Sequence, residues 1–127
     1  MCGGQKFSEF QVDCLDAHND YRSRHGIAAM DLNDGLCKYA EDHAKYLSQC
    51  DTEKPSRGPY GENIFIKTSS RKVYADAYEP VIQWYGEILK YGDVSNPAAY
   101  PCNEIKHFAQ VIWKETKTMG VGYAMNA

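Results

Sequence analysis

Three side chains in this 127-residue chain could do chemistry together: Glu62, Glu87 and His107. Two carboxylates and an imidazole suit either a divalent ion or proton transfer. Each adjoins an apolar element. Glu62 enters the run Asn63-Ile64-Phe65-Ile66, Glu87 sits beside Trp84 and Ile88, and His107 precedes Phe108. They are distant in sequence, so spacing alone does not bring them together. On the residues alone, a solvated glutamate and a structurally bonded histidine are the commoner readings. Other reactive signatures are missing. There is no His-Glu-x-x-His, no Gly-x-Ser-x-Gly and no Cys-x-x-Cys. The five cysteines, Cys2, Cys14, Cys37, Cys50 and Cys102, read as free thiols of a reducing compartment.

Four helices and two strands are expected to position these groups. Ser8 and Gln11 make a capping box, with Phe7 and Val12 as its hydrophobic staple. Phe10, Cys14, Ala17 and Tyr21 continue the first helix, and Gly26 stops it. Asn33 caps a second helix, which ends near Cys50. Residues 51–61 hold two prolines and two glycines and read as a loop. Asn63–Lys67 is a strand candidate. A third helix begins at Pro80 and carries Val81, Trp84, Ile88 and Tyr91 on one face. A long loop follows to Asn103. A fourth helix holds Ile105, Phe108, Ala109 and Ile112. Met119–Met125 closes as a strand whose glycines allow close backbone approach. The elements do not alternate as βαβ units, so the fold class is α+β with a small antiparallel sheet.

Composition narrows the function. Net charge is −3 and the isoelectric point is near 5.8. No basic field exists to hold a phosphate backbone, which argues against nucleic acid. No apolar run approaches the ~20 residues that span a bilayer. Met1 to Lys6 shows no signal-peptide core, and Cys2 stands where myristoylation needs glycine. A cytoplasmic or peripheral-membrane location is expected, with an extracellular one by an unconventional or processed route as the alternative.

Longer motifs then stand out. His107-Phe108-Ala109-Gln110-Val111-Ile112-Trp113, with Thr116 and Gly120-Val121-Gly122 beyond it, resembles the HFxQxxW…GxG signature of the CAP superfamily. Gly61-Glu62-Asn63 resembles its GEN motif, and Trp84-Tyr85-x-Glu87-Ile88 its WYxEI motif. His18-Asn19-x-Tyr21-Arg22-x-x-His25 is similar to its first-helix pattern. The motifs come in family order over nearly the whole chain, and the likeness is greatest to the intracellular, Golgi-associated branch.

The resemblance implies a single domain over residues 1–127, an α-β-α sandwich, and a cleft with two histidines and two glutamates. Glu62, Glu87 and His107 match three members, while the fourth, a histidine in the family, falls at or near Asp51. With one tetrad histidine absent, any Zn²⁺, Mg²⁺ or Ca²⁺ would be held weakly, and an oxygen-preferring ion fits better than zinc. Asn19, Arg22 and Asn63 are expected to bond backbone. With His18, Tyr21, Trp84, Phe108, Gln110 and Trp113 they form the structural motif. Lipid or sterol contacts would come from Tyr91, Pro97 and Tyr100. The family continues past the GxG strand, so the chain is expected to be C-terminally shortened, with an edge open to a homodimer or protein partner. The function implied is non-enzymatic binding of a lipid or sterol in a scaffold or signalling role at membranes. The alternative is a metal-assisted hydrolase using cleft glutamate and histidine.

Overall fold

The computed structural model describes residues 7–50, 54–56, 58–67, 76–87 and 102–125, with side chains from Lys106 onward in the last stretch. Helix α1 spans Glu9–Arg24, strand β1 Asp31–Leu32, α2 Asp34–Cys50, α3 Tyr78–Tyr85, α4 Cys102–Val111 and strand β2 Thr118–Met119. The architecture is helical with a small sheet, α+β as expected.

The start of α1 follows its local chemistry. Gln11 N donates to Ser8 Oγ at 3.1 Å, and Ser8 N donates to Gln11 Oε1 at 3.0 Å. Gln11 does more than cap. Its buried Nε2 donates to Glu41 Oε1 at 2.7 Å and to Val121 O at 2.9 Å, tying α1 to α2 and to the last segment. Ser8→Ala should therefore cost about 1 kcal/mol, and Gln11→Ala clearly more, because it also strands a buried carbonyl. Denaturant melts of the two variants check this order. At the other end Gly26 takes φ of 68°, where a side chain would be strained. Gly26 N bonds Ser23 O, and Ile27 N bonds Arg22 O, the paired geometry of a Schellman stop.

Asn33 caps α2 through its Oδ1, which accepts from Leu36 N at 2.9 Å. Helix α3 begins at Tyr78, two residues before the expected start. Pro80 still lies in the first turn, where its missing N–H costs nothing. The helix tightens into a 3₁₀ turn through Glu87. Ile88 and Tyr91, expected on this helix, lie outside the described residues.

The sheet differs from expectation. Among the described residues it is one parallel pair, Asp31 with Thr118 and Leu32 with Met119, and not an antiparallel sheet. Its strands come from opposite ends of the chain, so no hairpin can form it. Asn63–Lys67 is not a strand. Past Met119 the chain leaves the ladder and lies against α2. A Cβ on Gly120 would run into the Leu36 and Cys37 backbone, and one on Gly122 into Glu41. Glycine there serves helix contact where a longer strand was expected.

Two apolar clusters share one wall. The first gathers Cys14, Ala17, Ala77, Val81 and Val121. The second gathers Phe108, Val111 and Ile112. Tyr21 and Trp84 touch both, so α1, α3 and α4 pack as one body around them.

Candidate functional site

The site is built where the turn after α3 meets α4. Glu87 ends the 3₁₀ turn, and its carboxylate is engaged twice. His107 Nδ1 bonds Oε2 at 2.8 Å, and Phe108 N donates to Oε1 at 2.9 Å. The His107 ring lies nearly parallel to Trp84, with centroids 6.4 Å apart and planes 17° apart. The segment carrying Glu62 is held against the same helices. Asn63 Nδ2 donates to His107 O at 3.1 Å, and Trp84 Nε1 donates to Ile64 O at 3.2 Å. The Gln110 side chain lies over Gly61, in space a Cβ would need.

Glu87 and His107 thus meet directly, and the Glu62 segment packs beside them. The Glu62 carboxylate itself is spent elsewhere: Oε1 accepts from Ser56 N at 2.8 Å. Ser56 was not anticipated as part of the site. Its Oγ also accepts from Tyr39 Oη at 2.8 Å and from Gly58 N at 3.3 Å. The signal was present in Pro55-Ser56-x-Gly58, a turn whose serine bonds local backbone.

Among the described residues, a divalent ion would find an incomplete set of ligands. With Glu87 committed to His107 Nδ1 and to an amide, the ligating atoms left over among the described residues are His107 Nε2 and one Glu62 oxygen. Catalytic zinc sites use three protein ligands, and structural ones four. Among the described residues no three histidine, cysteine, aspartate or glutamate side chains stand together as a metal group. Asp51 lies outside the described residues, as do Tyr91, Pro97 and Tyr100.

The first-helix residues hold the scaffold. Asn19 makes a two-way bond with Met30, donating to its carbonyl at 3.1 Å and accepting from its amide at 2.8 Å. Arg22 is fully buried and donates to four carbonyls: Ala28 at 2.8 Å, Val111 at 3.3 Å, Trp113 at 2.9 Å and Thr116 at 2.9 Å. His18 is buried, and its Nδ1 bonds Cys14 O at 2.8 Å. Burial lowers its pKa, the backbone bond opposes this, and the nearby Arg22 charge lowers it further. Tyr21 stacks on Tyr85 at 3.9 Å, and His25 Nε2 bonds Tyr85 Oη at 2.8 Å. Trp113 is half exposed while its carbonyl serves Arg22.

Cys14, Cys37 and Cys50 are free. Burial, with Cys37 close by, pushes the Cys14 thiol up to about 12. Burial also raises Cys37, whose sulfur accepts from Val121 N at 3.4 Å. Neither thiol is poised as a nucleophile.

Residues 15–127 match the model of the CAP, or cysteine-rich secretory protein, family, and the chain belongs to that family. It is similar to human Golgi-associated plant pathogenesis-related protein 1, at 31% identity over 128 residues, covering 96% of this chain and 77% of that protein. It is similar to pathogenesis-related protein 1 of Arabidopsis thaliana, at 31% identity over 115 residues, covering 91% of this chain and 67% of that one. It is 32% identical over 123 residues to the secreted protein RBT4 of Candida albicans, covering 94% of this chain but only 31% of the fungal protein. The chain spans about a third of the length of such fungal relatives. No helix among the described residues is long and apolar enough to cross a membrane.

Proposed function

We propose that this chain is a non-enzymatic binding module that takes a lipid or sterol. One observation carries the reading: Glu87 and the groups packed around it are bonded to other protein groups. Glu87 has both oxygens engaged, Glu62 holds the Ser56 amide, and Asn63 holds the His107 carbonyl. Among the described residues, no buried side-chain nitrogen or oxygen lacks a hydrogen-bond partner. A hydrolase needs a base within reach of a nucleophile or a metal-activated water, and among the described residues no serine, threonine or cysteine side chain bonds His107. The apolar half of the reading draws support from Tyr78 and Ile82, exposed one turn apart on α3, and from exposed Ile66 in the neighbouring segment. Lys67 Nζ bonds Glu79 at 3.0 Å, which places that segment along α3.

The complete fold in this reading is the three-layer α-β-α sandwich of the family. Tyr91, Pro97 and Tyr100 would add ligand contacts, and the module would act at a membrane surface, as a homodimer or with a protein partner. The free thiols support a cytoplasmic or peripheral-membrane setting. The names of the relatives, one secreted and one Golgi-associated, support the secretory route as the other setting.

Competition between labelled sterol and fatty acid for the purified chain tests this. Saturable retention of one of them is expected, with no cleavage of a peptide substrate. Retention of neither, together with peptide cleavage lost in His107→Ala, favours the hydrolase. Calorimetry with Zn²⁺, Mg²⁺ and Ca²⁺ completes the test. A saturable site abolished by both Glu62→Ala and His107→Ala would return a cation to the cleft.

A further inference from the structure

We infer that the outer face shared by α1 and α3 docks a basic amphipathic helix of a partner protein. The inference goes beyond lipid binding and does not depend on it. Glu9, Asp13, Asp16 and Asp20 recur at helical spacing, which sets all four carboxylates in one row along α1. Glu9, Asp16 and Asp20 are exposed, and Asp13 is half-buried. Among the described residues, Asp20 pairs with Arg24 at 2.9 Å, while Glu9, Asp13 and Asp16 have no lysine or arginine at ion-pair distance. Helix α3 lies alongside this row. Near its end Tyr85 stacks on Tyr21. At its start the Asp13 carboxylate, which also bonds the Tyr78 hydroxyl, raises the Tyr78 pKa, and Asp16 and Asp76 add to the effect. Tyr78 and Ile82, one turn apart, are 43% and 53% exposed. They form an apolar ridge beside the acidic row.

Charge decides the kind of partner. The chain carries 17 acidic and 14 basic side chains, so it is close to balanced and this row is a local excess. Such a row repels an anionic surface at this face, and a neutral apolar molecule would leave its carboxylates unused. A helix with leucines on one side and lysines along their border uses both features. Its leucines cover Tyr78 and Ile82, and its lysines face Asp13 and Asp16.

The probe is a fluorescently labelled helical peptide with a leucine face bordered by lysines. Its controls are a scrambled peptide of the same composition and a version with glutamate for lysine. Anisotropy with the whole chain should show saturable binding of the first, weakened by added salt, and binding of both controls at least about tenfold weaker. Amide shifts should fall on α1 and α3. The double variant Asp13→Asn with Asp16→Asn, and separately Ile82→Ser, should each weaken binding roughly tenfold. Equal binding of the scrambled peptide, shifts on other elements, or unchanged affinity in either variant overturns the inference. So does self-association of the chain that the same variants abolish, which would give the face to a second copy. Binding to neutral lipid vesicles that Ile82→Ser abolishes and the aspartate variant leaves intact would give it to lipid, and also overturns it. Ile82 projects into solvent, so its variant decides if the aspartate pair does not fold. Failure of the chain to retain sterol leaves this inference standing.

Discussion

Replacing Arg22 with methionine is expected to lower stability by about 3–5 kcal/mol, the scale of breaking a buried charged network. For a domain of ordinary stability, about 5–15 kcal/mol, that is a fifth of the total or more. The guanidinium is fully buried, and among the described residues no carboxylate pairs with it. Its partners are four carbonyls: one in the turn after α1, one in the last residue of α4, and two in the segment beyond α4. Methionine fills similar volume but leaves those carbonyls without their donor. Arg22→Lys should recover little, because an ammonium cannot spread donors over four acceptors in a fork. Urea melts of the two variants measure the effect. A loss under about 1 kcal/mol for Arg22→Met would mean that water replaces the guanidinium and that the two chain ends are not joined through it.

Gly120→Ala should be nearly as damaging, at the upper end of the ~1–3 kcal/mol seen for overpacked cores. A methyl group there meets the Leu36 carbonyl and the Cys37 amide, which are backbone and cannot swing aside. The chain would lift off α2. That movement strains two contacts next to it, the Val121 amide on Cys37 and the Gln11 amide on the Val121 carbonyl. Gly61→Ala should cost less, because its neighbour is the tip of the Gln110 side chain, which can move. Thermal melts of both alanine variants check the order. Equal effects at the two positions would show that the approach to α2 is loose.

Local structure was legible in the sequence where one residue's chemistry decides it. Ser8 with Gln11, Asn33, and Gly26 fixed helix ends that the structure reproduces. The α+β class and the family were legible through long motifs. The sheet was not. Asp31-Leu32 is too short for any period to announce, and its partner lies at the far end of the chain. Gly120 and Gly122 signalled close approach, but not to what. The same limit applies at the site. The motifs pointed to Glu62, Glu87 and His107 as a group, and the structure does bring Glu87 to His107. Motifs do not show which oxygen is already occupied. Ser56 takes Glu62, and Phe108 takes half of Glu87, through main-chain amides that every residue except proline carries. The motifs therefore named two residues that the structure brings into contact, without revealing how their bonds are distributed.

The most direct measurement is a crystal structure of the chain soaked with zinc and with a sterol. The account predicts Glu87 still spanning His107 Nδ1 and the Phe108 amide, with the sterol bound and no zinc held. A zinc ion bound by Glu62, Glu87 and His107, with Asp51 as the fourth ligand, would contradict it.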